Sequence, residues 1–409
     1  MRFILRLIFL CFSLNCSAQV KILFDASQAE MAGNADWVID ANSYNIGFNG
    51  TGAATTGIGN EANPAITPSP AQSGITSSTV ETYWSGALSS WAIDLVKLGY
   101  QVETLPYNGV ISYGNISNTQ DLSNYKVLIV CEPNIRFTSA EKTALINFVQ
   151  NGGGLFMIAD HDQSDRNGDG WDSPSIWNDL MNTNSVQSNL FGMNFDLVDI
   201  SETSYNYSPT ANDTITNGIT GTAYGVKLSN GSMITINTTA NSSAAGIIYE
   251  ASAIQDADSI LVACANFGNG RVAALSDSSP CDDGTGDVND NLFYGYSDLS
   301  GYHSRLLLNT TVWLAGNYTS FSNSIRNEVK QNEPVLYPNP GSKIISLQSK
   351  TGKILELSIS DLSGRIVKKA DRINADELSV DISSLPPGSY FITLVMKEGT
   401  VCRNLVVTE

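Results

Sequence analysis

Apolar runs in the first three hundred residues alternate between strand-like and helix-like spacing. Residues 20–26 (VKILFDA), 101–105 (QVETL), 125–131 (YKVLIVC) and 155–159 (LFMIA) are short, continuous and rich in Val, Ile and Leu. That is the pattern of strands covered on both faces. Between the first two, Ser78-Thr79-Val80-Glu81 has the form of a capping box. Trp84, Leu88, Trp91, Leu95 and Leu98 then recur at about 3.6-residue spacing up to Gly99, which predicts one helix over this stretch. A second helix starts at Thr138-Ser139-Ala140-Glu141, carries Leu145, Ile146 and Val149 on one face, and runs into the Gly152 turn.

Strand, helix, strand, helix, strand predicts a mostly parallel sheet with helices on both faces. Right-handed crossovers place the strand C-termini on one edge, so Asp25, Glu132, Asp160 and His161 are expected to converge there. Residues 27–77 read as one long loop, and 185–236 as irregular with short strand-like pieces. Order resumes at 245–249, 260–265 and 271–275, the last two joined by the hairpin turn Phe267-Gly268-Asn269-Gly270. The closing strand runs into Asp277 and an acidic loop (Asp282, Asp283, Asp287, Asp290), and a helix over 302–315 carries His303 in its first turn.

The pattern changes near residue 320. A polar linker, 320–334, is followed by six or seven short alternating segments with turns such as Leu385-Pro386-Pro387-Gly388, which predict a small C-terminal β-sandwich. The expected layout is a signal peptide over 1–18, an α/β domain over 19–319, the linker, and the sandwich over 335–409.

Charge narrows the partners. A net charge of −18, with 22 basic against 40 acidic residues, offers no basic stripe for a phosphate backbone, so no nucleic-acid partner is expected. Arg2 and Arg6, the apolar run IFLCFSL and Cys16-Ser17-Ala18 before Gln19 read as an export signal. No later stretch approaches the roughly 18 apolar residues of a membrane span, so no transmembrane segment is expected. Cys131 and Cys264 sit in apolar strands as small core residues; a Cys264–Cys281 disulfide is permitted by export but not implied by spacing.

Two resemblances follow from specific residues. Leu336-Tyr337-Pro338-Asn339-Pro340, Ser360-Asp361-Leu362-Ser363-Gly364-Arg365 and Leu385-Pro386-Pro387-Gly388-Ser389-Tyr390, in that order, resemble the C-terminal sorting domain of type IX secretion cargo. The resemblance implies a secreted or outer-membrane-surface protein, with the type IX machinery as partner. The motifs FDAS, NFVQNGGGLFMIADH and FGNGRVAALSDSS resemble the class I glutamine-amidotransferase-like (flavodoxin-like) superfamily. There the strand-to-helix elbow holds a nucleophilic cysteine; here it offers Ala159, Asp160 and His161, so the resemblance implies the fold and not glutaminase chemistry.

Candidate chemistry concentrates between Asp160 and Asp172. Asp165, Asn167, Asp169 and Asp172, with Gly170 at the turn, supply closely spaced hard oxygens that fit Ca²⁺. The same spacing fits an Asx-rich turn, and position twelve of an EF-hand is here Ile176. At the strand edge, Asp25, Asp160, His161 and Asp277, completed by Glu30 or His303, could hold a catalytic divalent metal or act as an acid–base set. Asp160 and Asp277 could equally cap the following turns. No G-x-S-x-G occurs, which leaves Ser27, Ser276 and Ser278 as the serines to consider. Trp37, Tyr44, Phe48, Trp171, Phe293, Tyr294 and Tyr296 could stack on sugar rings or pack on the domain. The expectation is a secreted hydrolase acting on an extracellular polymer, polysaccharide favoured. Its rival is a non-catalytic surface protein that binds glycan or protein, with a calcium-stabilised acidic loop.

Overall fold

The computed structural model describes residues 19–32, 35–39, 46–48, 54–56, 70–209, 211–285 and 295–316, then 335–339, 341–349, 353–360, 365–371, 373–396 and 399–408. The expected signal peptide and linker, and Tyr44, Asp287, Asp290, Phe293 and Tyr294, lie outside these. The chain divides into two compact units, Met1–Tyr318 and Thr319–Glu409.

The first unit is α/β. Its strands are β1 (Lys21–Asp25), β2 (Gln101–Leu105), β3 (Val127–Cys131), β4 (Gly154–Ile158), β5 (Met193–Ser204), β6 (Asn206–Tyr207), β7 (Val226–Ile236), β8 (Ala245–Tyr249), β9 (Ile260–Phe267) and β10 (Gly270–Leu275). Strands β2-β1-β3-β4-β10 run parallel, in that order. Beyond β10 the sheet continues antiparallel through β9, β8 and β6, so it is mixed rather than mostly parallel. The β9–β10 connection is the expected hairpin, with Gly268 at φ 59°.

Alternation along β1 shows why both faces are covered. Ile22 and Phe24 enter one core with Trp91, while Leu23 enters the other. Helices α1 (Ser89–Lys97) and α4 (His303–Leu314) pack on the first face, α2 (Ser139–Gln150) and α3 (Ser173–Asn182) on the second. Trp91 presents its ring edge-on to Phe24 and Phe156, with centroids 5.5 and 5.7 Å apart. The Thr138/Glu141 capping box of α2 forms as read, with Thr138 N–H donating to Glu141 at 2.8 Å.

Three expectations are corrected. The helix expected over 78–98 covers only Ser89–Lys97; before it lie a 3-10 turn, Glu81–Tyr83, and Gly86 at φ 139°, a conformation a helix cannot contain. Trp84 and Leu88 are buried without being helical, so their spacing reported burial and not helix. The stretch expected to be irregular contains β5 and β7, a long antiparallel ribbon that joins the main sheet through Ile234 and Ile260. Within the expected long loop, Met31–Ala32 and Ala35–Asp36 form a small hairpin, as do Ile46–Phe48 and Ala54–Thr56.

The second unit is antiparallel β: a three-stranded sheet of Val335–Tyr337, Ile344–Gln348 and Glu377–Asp381, and a four-stranded sheet of Ile366–Ala370, Ile354–Ser360, Gly388–Met396 and Gly399–Val407. Ile345, Leu347, Leu357, Ile359, Ile392 and Leu405 form its core.

Trp91→Ala removes a fully buried ring between two aromatic neighbours. It is expected to cost about 3–5 kcal/mol of stability, read as a shift in the urea midpoint without a change in slope.

Candidate functional site

Four of the five parallel strands deliver an acidic residue to the same edge, β2 being the exception. Asp25 ends β1, Glu132 follows β3, Asp160 lies two residues past β4, and Asp277 two past β10. All four are buried. The order 2-1-3-4-10 reverses direction between β1 and β3, and such a switch point opens a crevice at the strand C-termini.

Glu132 is held in a left-handed conformation, φ 50°, which a residue with a Cβ adopts at a cost. Its carboxylate is saturated. Trp37 Nε1 and the Ser278 hydroxyl donate to Oε2 at 2.9 and 2.8 Å, and Arg166 Nε donates to Oε1 at 3.1 Å. Arg166 Nη2 lies 3.0 Å from Glu132 Oε1 and 2.7 Å from Asp160 Oδ2, so one guanidinium bridges two carboxyl groups. Asn134 holds the surrounding loops together. Its Nδ2 faces the carbonyls of Ala29, Met31 and Glu132, and its Oδ1 accepts from Arg166 N–H.

Burial pushes Asp160 well above the usual carboxylate range; the charges of Glu132 and Asp277 add to this, and Arg166 opposes it. His161 is the neighbouring imidazole, with Nε2 3.9 Å from Asp160 Oδ2 and Nδ1 4.0 Å from Asp199 Oδ2 on β5. Asp277 accepts from Ser279 N–H at 2.8 Å and from Ser229 N–H, on β7, at 2.5 Å. Burial raises it to about 7; the amide hydrogen bonds from Ser279 and Ser229 oppose this and the Glu132 charge adds to it. The close approach of β7 needs Gly231, where a Cβ would lie 2.7 Å from that of Asp277. Trp37, Asp160, His161, Arg166, Ser229 and Ser278 line a cavity of about 440 Å³ at this edge.

Asp25, Asp160, His161 and Asp277 thus share one edge. His303 is not available to them. Its Nε2 accepts from Lys227 N–H at 2.9 Å and its Nδ1 donates to the Gly295 carbonyl at 2.6 Å, and burial lowers it to about 4, so it is a neutral imidazole that ties β7 to α4. Of the serines, Ser27 donates to Asp25 and Ser278 to Glu132, while the Ser276 hydroxyl is buried without a partner.

The oxygens of the 165–172 loop are turned to its own backbone. Asp165 accepts from the amides of Gly168, Asp169 and Gly170. Asn167 accepts from Asp169 N–H and Asp169 from Trp171 N–H, while Asp172 caps α3 through Ser175 N–H at 2.9 Å. Among the described residues, no three His, Cys, Asp or Glu side chains are arranged to hold a metal ion. At the strand edge the donor set does not fit a catalytic metal as it stands, because Arg166 already supplies the positive charge between Glu132 and Asp160. Cys131, Cys264 and Cys281 are free thiols; the neighbour of Cys281 is Cys131, and Cys264 takes a hydrogen bond from Asn212. Of the expected stacking aromatics, Trp37 and Tyr296 are buried and Trp171 lies 3.7 Å beneath the Arg136 guanidinium.

Arg166 and Asp199 were not anticipated from the sequence. The signal for Arg166 was its isolation: it is the one cation between Asp160 and Asp172. Asp199 arrives on a strand that the sequence did not announce.

A two-unit protein, with a polar crevice on its α/β unit and an antiparallel β tail, is the class these observations define. Residues 335–408 match the family described as the secretion system C-terminal sorting domain. The chain therefore carries a type IX secretion sorting domain and is secreted or surface-attached through that machinery. No helix among the described residues is long and apolar enough to cross a membrane. No curated protein matches the chain. Among solved structures, the mmIFT52 N-terminal domain is 12% identical, covering 72% of this chain and 97% of that one with a TM-score of 0.39. The cytoplasmic protein STM3548 from Salmonella typhimurium is 13% identical, with coverages of 72% and 99% and a TM-score of 0.36. The β-galactosidase from Bacillus circulans sp. alkalophilus is 10% identical, with a TM-score of 0.29, and the match covers 78% of this chain but 37% of that enzyme. Likenesses of this size carry no argument about activity.

Arg166→Ala leaves two buried carboxyl groups without their cation. It is expected to cost about 3–5 kcal/mol at neutral pH, measured by urea denaturation, and less in acid, where Asp160 takes up a proton. Asp277 binds its proton more tightly folded than unfolded, so stability should fall as pH rises from about 4 to about 7. Melting temperatures across that window check the sign.

Proposed function

We propose that the first unit is an amidotransferase-like α/β domain that hydrolyses an extracellular polymer, with polysaccharide the favoured class, at the crevice beside Asp160. The observation that carries this reading is a pocket in which a carboxyl with raised proton affinity and an imidazole adjoin along one wall. In this reading Asp160 is the acid that protonates the leaving oxygen, and His161 takes the proton of the attacking water. Arg166 orients Asp160, and Asp25 and Asp277 support the loops that form the site. Ser229, Asn230, Ser278 and Ser279 line the rest of the wall and suit the hydroxyls of a polyol. Acidic groups outnumber the single arginine, which disfavours uronate or sulfated polymers and favours neutral or amine-bearing ones.

One observation favours the rival, a non-catalytic binding surface: the site's carboxylates already have protein partners. Calcium on the 165–172 loop belongs to that rival, and binding there would exchange backbone amides for an ion at each oxygen.

A panel of neutral, amine-bearing and uronate polysaccharides separates the two. Turnover is expected on the first or second class and not the third, and His161→Ala and Asp160→Asn should each lower it by about 100-fold or more. The melting temperature of His161→Ala should stay at that of the wild type. No turnover on any polymer, with a melting temperature that drops on chelation, would establish the binder instead.

A further inference from the structure

Two of the most deeply buried carboxyl groups belong to the segment that leaves β1. Asp25 is 1% exposed and Glu30 0%. Each engages one oxygen: Asp25 Oδ1 accepts from the Ser27 amide at 2.9 Å and hydroxyl at 2.7 Å, and Glu30 Oε2 accepts from Gln28 N–H at 3.0 Å. The other two oxygens, Asp25 Oδ2 and Glu30 Oε1, are buried with no donor, and the two carboxyl groups lie within hydrogen-bonding reach of each other. Two carboxylates accept only and cannot satisfy one another, whereas a carboxyl and a carboxylate can, through one proton. The charged and titratable neighbours that act most strongly on the pair are acidic or neutral. They are Cys131 at the end of β3, Glu132 beyond it, and Glu141 in the first turn of α2; Arg166, at the same edge, is engaged by Glu132 and Asp160.

Glu30 is tied to the pocket. Its carbonyl accepts from Trp37 N–H at 3.0 Å, and the Trp37 indole donates to Glu132, the anchor of Arg166. Ala32 and Trp37 are part of the pocket wall.

We propose that one proton shared between Asp25 and Glu30 latches residues 26–32 and 35–39 onto the sheet edge, and that ionisation of the pair releases this wall of the pocket. The proposal gives the crevice of the previous subsection a regulation, and it rests on that reading only for its functional consequence. Burial and the neighbouring charge raise the proton affinity of both groups, Asp25 to about 6 and Glu30 well above its ordinary range. The stabilisation is therefore complete in acid and lost as pH rises through the folded-state titration.

The test is amide hydrogen exchange in the full chain, corrected for the intrinsic effect of pH. Glu30→Gln puts a permanent donor where the shared proton sits. Between about pH 6 and about pH 9, protection of residues 26–32 and 35–39 should fall at least about tenfold in the wild type and less than about threefold in Glu30→Gln. Asp277 and Asp160 titrate in both proteins, so the difference between them isolates the latch. Equal losses overturn the proposal. Should Glu30→Gln not fold, Asp25→Asn supplies the donor from the other side and is read in the same way. Failure of both to fold also overturns it, because an amide should replace the protonated carboxyl. Exchange does not depend on turnover, so an inactive chain can pass this test and an active one can fail it.

Discussion

The bridge from Arg166 to Glu132 and Asp160 is the interaction on which the acidic edge of the sheet depends. A parallel sheet brings its strand ends together, and in this chain those ends are acidic. Burying carboxylates is costly unless donors accompany them. Glu132 is satisfied by a tryptophan, a serine and the arginine, each from a different segment. The loops after β1, β4 and β10 are therefore fastened to one carboxylate, which is itself held in a strained backbone conformation. Removing the cation would leave the strands paired but the loops above them without a common anchor.

Positive charge is scarce throughout, with 22 basic residues against 40 acidic. Lysines neutralise Glu103 and Asp179 elsewhere, but the strand edge meets its buried acids in three other ways. Where an arginine is present it bridges two of them. Where none is present, as at Asp277, backbone amides from two segments converge on the carboxylate. Where neither suffices, as at Asp25 and Glu30, the carboxyl groups adjoin and their affinity for protons rises. The charge state of this edge is therefore set by pH as much as by composition.

The parallel core was legible because strands covered on both faces leave continuous apolar runs, and their termini named the acidic residues of the edge. The capping box of α2 was legible because both partners are local. What escaped had two causes. The β5/β7 ribbon mixes buried, half-buried and exposed positions, placing apolar Leu197, Val198 and Ile200 on exposed or half-buried positions and polar Ser204 and Ser232 on buried ones, so its period was hidden by its composition. Helix α3 was overlooked because Asp172 was weighed as a metal ligand, when its oxygen caps the helix. Asp and Asn serve calcium and Asx turns at the same spacing; only the direction of the oxygens separates them, and direction is a property of the fold.

The same limit explains why export is easier to read than chemistry. A sorting signal is a run of local motifs, and three of them in order are visible in the bare chain. A crevice such as this one is lined by residues far apart in the chain, here 37, 160, 166, 229 and 278, whose relation is set by the order of strands in the sheet. Sequence supplied the acids, because strand ends can be seen. It did not supply their counter-charge, because a single arginine in an acidic loop looks like a solvated residue until the crossover geometry brings Glu132 beneath it. The partners of buried charge, more than the charges themselves, are what folding adds to the reading of a site like this one.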